Sequence, residues 1–131
     1  MNEKSIHSLL NVRWDGRVLL DRIESSVSSG VADCNAVFEG CEFWMEYKVI
    51  GHKAKTTVIP IETPLGTIWL RPAQYSWHVK RARAGGRAFV IGRTENAIVA
   101  YRCQSDGTWK HIFTTCKPFD YNSLLANLVS E

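Results

Sequence analysis

Apolar positions along the chain recur with a helical period in some stretches and alternate in others, and the changes of period mark the elements. Residues 3–11 place Ile6, Leu9 and Leu10 on one side, which predicts a short helix. Trp14-Asp15-Gly16 reads as a turn, and Val18 to Ile23 as a first strand. Ser25 to Gly30 is small and polar and predicts a loop. Asp33 to Phe38 and Glu42 to Ile50 are β-compatible runs on either side of Glu39-Gly40, the pattern of a hairpin. Thr57 to Ile61 and Thr67 to Leu70 are expected to pair around Thr63-Pro64-Leu65-Gly66. A second helix follows, with Pro72 suited to its first turn and Gly85-Gly86 to its end. Tyr75, Val79 and Ala82 share one side of it, and Gln74, Trp77 and Arg81 a neighbouring face. Ala88 to Gly92 and Ala97 to Tyr101 read as strands, and Asp120 to Val129 as a last helix with Leu124, Leu125 and Leu128 on its apolar side. This order predicts an α/β fold, a mixed central sheet flanked by helices, formed by residues 1–131 as a single domain.

A chain of 131 residues buries about two-thirds of its unfolded surface, enough for a core without metal or disulfide staples. The four cysteines (Cys34, Cys41, Cys103, Cys116) include no Cys-x-x-Cys pair, and the four histidines complete no zinc pattern, so free thiols are expected. No apolar run approaches the length that crosses a bilayer. Met-Asn-Glu-Lys-Ser leads into no leader-like apolar stretch, and the expected compartment is the cytoplasm, that of the host for a phage-encoded chain. Net charge is +3 but uneven: residues 70–102 carry seven basic side chains against one acid, Glu95, while the first 69 residues carry seven basic and nine acidic ones. A basic segment joined to an acid-rich one suits a phosphate-binding surface beside a metal site, although a solvated helix face gives the same run.

The informative residues are Gly30-Val31-Ala32-Asp33 and Phe43-Trp44-Met45-Glu46-Tyr47-Lys48. Alternation along a strand projects Glu46 and Lys48 from one face and Met45, Tyr47 and Val49 from the other. Asp33 opens the preceding strand, so a hairpin brings its carboxylate towards Glu46. Charges amid apolar neighbours are costly to bury unless paired or bound to metal. Two carboxylates that hold a hard cation, with a lysine beside them, are what phosphodiester hydrolysis needs. Glu-x-Lys alone is common and also forms plain cross-strand ion pairs.

As an ordered set the residues carry more weight. Arg22-Ile23-Glu24, Gly30-Val31-Ala32-Asp33, Phe43-Trp44-Met45-Glu46-Tyr47-Lys48, then Leu70-Arg71-Pro72-Ala73-Gln74, Trp77 and Gly85-Gly86 resemble the PD-(D/E)xK nuclease superfamily, in particular small phage and archaeal members of the Holliday-junction-resolvase and VRR-NUC kinds. The resemblance runs from about Arg22 to Thr94 and departs at Ala32, where the family has proline. It implies a restriction-endonuclease-like αβββαβ core and an Mg²⁺-dependent endodeoxyribonuclease, with Mn²⁺ able to substitute. It further implies Asp33, Glu46, Lys48 and Gln74 as catalytic residues, and Asp33, Glu46 and a further acid as metal ligands. Glu24 and Glu3 are the candidates for that acid, and Glu24 fits the local pattern better. DNA, branched or Holliday-junction DNA included, is the implied partner, and a homodimer the implied assembly, since resolving a junction takes paired cuts.

Arg71, Lys80, Arg81, Arg83 and Arg87 are the candidate DNA-binding residues. Trp77 could stack on a base, Trp44 shares the parity of Glu46 and could wall a cleft, and Asn35 shares the face of Asp33; each also fits plain packing or a strand end. For His78 a core or surface position is the simpler expectation. The alternative to a nuclease is a non-catalytic nucleic-acid-binding module on the same fold, which binds DNA in a salt-sensitive way and cuts nothing. A structural protein with solvated ion pairs would bind neither DNA nor metal.

Overall fold

A computed structural model describes residues 1–23, 30–53 and 58–131. The first helix, α1 (Glu3–Arg13), starts where Asn2 accepts the backbone N–H of Ser5 at 2.9 Å. It is followed by β1 (Leu19–Arg22), β2 (Cys34–Phe38) and β3 (Cys41–Val49), then a separate hairpin of β4 (Ile59–Thr63) and β5 (Gly66–Leu70). Next come α2 (Pro72–Arg83), β6 (Ala88–Arg93), β7 (Ala97–Cys103), β8 (Trp109–Cys116) and α3 (Tyr121–Ser130), whose first turn Asp120 caps.

Six strands form one sheet in the order β1-β2-β3-β6-β7-β8. β3 and β6 run parallel and every other neighbouring pair runs antiparallel. The fold is therefore the expected α/β arrangement with a mixed sheet. One strand was not expected: β8 adds an edge beyond β7, with a bulge opposite Ala100 and Tyr101.

The two faces of the sheet have different covers. Phe43, Met45, Tyr47 and Val49 of β3 join Phe89 and Ile91, Ile98 and Ala100, Ile6 and Leu10 of α1, and Leu124, Leu125 and Leu128 of α3. On the other face Val90, Val99 and Tyr101 meet Ile61, Ile68 and Leu70 of the hairpin. The hairpin reaches the sheet because β6 has a glycine beneath it: a Cβ on Gly92 would stand 2.7 Å from Ile68 Cδ1. Gly92 pairs with Lys48 across the parallel ladder, so the hairpin settles beside the end of β3 that carries the lysine. Among the described residues no helix is long and apolar enough to cross a membrane, and the four cysteines are unpaired.

Candidate metal centre

The even positions of β3 (Glu42, Trp44, Glu46, Lys48) face α2 and the hairpin, while the odd ones lie in the first core. Glu46 is 1% exposed. It sits there because β3 is an inner strand, between β2 and β6, and because α2, packed on the neighbouring β6 and β7, reaches over it with Gln74. Its Oε2 accepts a long bond, 3.4 Å, from Gln74 Nε2. Its Oε1 is buried with no partner. Burial first, then the Asp33 carboxylate beside it, holds this carboxyl well above the usual range, and Lys48 offsets them in part.

Asp33 arrives from the residue before β2. Its Oδ2 accepts the Tyr47 N–H at 2.8 Å, and its carbonyl accepts the Ile23 N–H at 2.8 Å. The chain reaches this point through Gly30, whose φ is +85°. A side chain on Gly30 would collide with the Ala73 carbonyl in the first turn of α2. The glycine of the Gly-Val-Ala-Asp stretch thus lets the Asp33 segment touch the helix that carries Gln74.

Gln74 is held at both ends of its amide. Its Oε1 accepts the Arg71 N–H at 2.9 Å, one of the donors a helix start leaves unsatisfied, and its Nε2 then points to Glu46. Lys48 has a largely buried side chain whose Nζ stands 3.7 Å from Glu3 Oε1. Glu3 belongs to the first turn of α1, which His7 ties to β3 one turn later through a 2.9 Å contact with the Tyr47 hydroxyl. Burial raises the Glu3 carboxyl from its ordinary range, and Lys48 acts against that shift.

Glu3, Asp33, Glu46, Lys48 and Gln74 all line one cleft of ≈ 380 Å³. The hairpin and the chain on either side of it also line the cleft: Trp69, with Lys53 Nζ 4.7 Å above its ring, His52 before the hairpin and Arg71 after it. The structure therefore brings together Asp33, Glu46, Lys48, Gln74 and Arg71. Glu24, the acid favoured by the local pattern, lies outside the described residues. Among the described residues Glu3 is the further acid that lines the cleft.

Three side chains of this lining, His52, Lys53 and Trp69, escaped the sequence reading. The signal for Trp69 was its place between Ile68 and Leu70, which alternation buries on the opposite side. The other basic candidates do not converge on the cleft. Arg83 Nε donates to the Ser105 carbonyl and Arg87 Nη1 to the Leu128 carbonyl, Lys80 is exposed, and Arg81 lies against Trp44 and Trp77.

The donor set suits a hard divalent cation. The partnerless Glu46 Oε1 is the kind of buried oxygen a cation satisfies, and Asp33 stands next to it. Among the described residues no three or more His, Cys, Asp or Glu side chains form a metal-holding group. Mg²⁺ is commonly held by one or two carboxylates, with water and substrate phosphate completing the shell, so two carboxylates meet its need.

No family model matches the chain, and no curated protein does. In structure it is similar to Archaeoglobus fulgidus Hjc, a Holliday junction resolvase from an archaeal hyperthermophile, at 16% identity and a TM-score of 0.48 over 76% of this chain and 74% of that one. The likeness concerns the course of the chain.

Proposed function

We propose that this cleft hydrolyses DNA phosphodiester bonds, as an Mg²⁺-dependent endonuclease in which Mn²⁺ can substitute. The observation that carries the reading is Glu46: a carboxylate 1% exposed, one oxygen unpartnered, with Asp33, Gln74 and Lys48 around the same cleft. A structural protein gains nothing from that arrangement, because an unsatisfied buried oxygen costs about 1–3 kcal/mol and more when charged.

Asp33 and Glu46 would hold the cation, with Glu3 at the edge of the same space. When bound, a divalent cation supplies neutralisation of phosphate charge and a more acidic water. The protein's own groups do the rest. Lys48 presents an ammonium from the same strand face, where it orients water and stabilises negative charge as it develops. Glu3 holds that ammonium at the cleft, Gln74 fixes the Glu46 carboxylate, and Arg71 offers a positive charge to a neighbouring phosphate. Branched DNA is the substrate class we favour, and paired cuts at a junction then call for a twofold dimer.

The test is cleavage of plasmid, single-stranded and four-way-junction DNA with Mg²⁺, Mn²⁺ or EDTA. Metal-dependent cutting, lost by orders of magnitude in Lys48→Ala, is expected. Intact DNA under all conditions, with binding retained, would leave a non-catalytic binding module in its place.

A further inference from the structure

A second concavity lies on the same face of β3, towards the start of the strand. Its volume is ≈ 460 Å³, and Trp44, Arg81, Arg87, Glu42 and the Gly85-Gly86 bend line it. The rings of Trp44 and Trp77 meet edge to face at 5.5 Å and 69°. The Arg81 guanidinium is held against both, its carbon 4.7 Å from the Trp77 ring centre and 5.1 Å from that of Trp44.

Two features of Arg81 bear on what this place does. Its side chain already packs against two aromatic rings, which lowers the rotamer freedom that binding would otherwise cost. Among the described residues no acceptor takes a hydrogen bond from its guanidinium, which leaves a planar fork of donors facing a concavity. Such a fork matches phosphate oxygens. Arg87 adds a second positive charge, and the exposed Glu42 is the acid of the group. Trp44 and Glu46 are two residues apart on one face, ~7 Å along the strand. Two nucleotide rises of a DNA strand, at ~3.4 Å each, cover the same distance.

We propose that Trp44, Trp77 and Arg81 form a second nucleotide subsite, which grips a phosphate of the DNA strand one or two nucleotides from the bond held at Glu46 and Lys48. The proposal rests on the nuclease reading of the cleft and adds the register in which the strand crosses it.

Binding of the full chain to labelled single-stranded and duplex DNA in EDTA, followed from 50 to 200 mM salt, tests it without any cleavage. Arg81→Gln should lower the slope of log K against log salt by ~0.7 on single strands and ~0.9 on duplex, the loss of one phosphate contact. Lys80→Gln, which removes the same charge from an exposed position on the same helix, should change the slope less. Arg81→Lys keeps charge and aromatic contact but loses the fork; it should keep the slope and bind several-fold more weakly, and it carries the test if Arg81→Gln does not fold. Parent-like binding by Arg81→Lys and either a parent slope in Arg81→Gln or an equal drop in Lys80→Gln overturns the subsite alone. A parent protein that binds neither DNA overturns the subsite and the nuclease reading together.

Discussion

Replacing Glu46 by Gln is the perturbation with the sharpest expected sign. In the metal-free protein the Glu46 carboxyl is 1% exposed, has an unpartnered Oε1 and stands against Asp33. Gln removes the charge, keeps the shape and offers an N–H to the neighbouring carboxylate. The desolvation it relieves is about 1–3 kcal/mol, and the new bond adds about 0.5–1.5 kcal/mol. Glu46→Gln should therefore be more stable than the parent by about 2 kcal/mol in EDTA at pH 8, taking the lower part of that sum. For a domain of this size 1 kcal/mol moves the melting midpoint by about 3–5 °C, which makes the expected rise about 6–10 °C.

The pH dependence has a definite direction. Burial and Asp33 raise the folded carboxyl above its unfolded value, so the stability Glu46 contributes is full below the unfolded value and lost as pH rises through the raised one. Gln does not titrate. The gap between variant and parent should be small near pH 4 and widen towards pH 8. Added Mn²⁺ should then stabilise the parent more than the variant, since a ligand of the folded state alone contributes about 2.7 kcal/mol at 100 times its Kd. Thermal melts across pH, with EDTA or Mn²⁺, measure all three. A variant less stable than the parent in EDTA, or a gap that does not vary with pH, would refute the account of Glu46 as a desolvated, cation-seeking group.

Two further outcomes test the supports of the site. Gly30→Ala forces a side chain onto a φ of +85° and into the Ala73 carbonyl; it should cost at least about 1–2 kcal/mol in urea unfolding and reduce cleavage more than Gly40→Ala, a positive-φ turn with open space around it. His78 is fully buried with both ring nitrogens unpartnered, and burial pushes it down to about 4. The unfolded chain takes up that proton first, so its contribution to stability falls by about 3 kcal/mol between pH 6.5 and 4, and His78→Leu should flatten the urea midpoint over that window.

The alternation of β3 was legible because a strand with a core on one side and charges on the other writes its two faces into the sequence. Asp33, Glu46 and Lys48 could be grouped for the same reason, with the hairpin turn between them, while Gln74 entered only through the family resemblance. β8 was not legible. Trp109 to Cys116 is an edge strand with Lys110 and His111 near its start and a bulge beside them, so no burial rhythm marks it. On α2 the apolar side of Tyr75, Val79 and Ala82 is only partly covered, whereas Gln74 and His78 are the buried residues. Apolar periodicity cannot find a helix whose inward face is polar because it builds a site. The basic run from 70 to 102 looked like one surface, but it divides: Arg71 lines the metal cleft, Arg81 and Arg87 line the concavity beside Trp44, and Arg83 turns to the Ser105 carbonyl.

The division of β3 also bears on how stability and function constrain each other here. Odd positions anchor the strand in the larger core, and pairing on both edges with β2 and β6 leaves it no room to shift. That rigidity is what keeps Glu46 out of water when no cation is present, since a looser strand would let solvent reach Oε1. The same desolvation strengthens any attraction between this carboxylate and a cation. A substitution in the odd-face core, such as Met45→Ala, is therefore expected to weaken metal affinity without touching a ligand, because relaxation around the cavity hydrates Glu46. Mn²⁺ affinity measured by calorimetry well below the melting midpoint decides this. Unchanged affinity in a folded Met45→Ala protein would separate the core from the chemistry and make the burial of Glu46 a consequence of α2 alone.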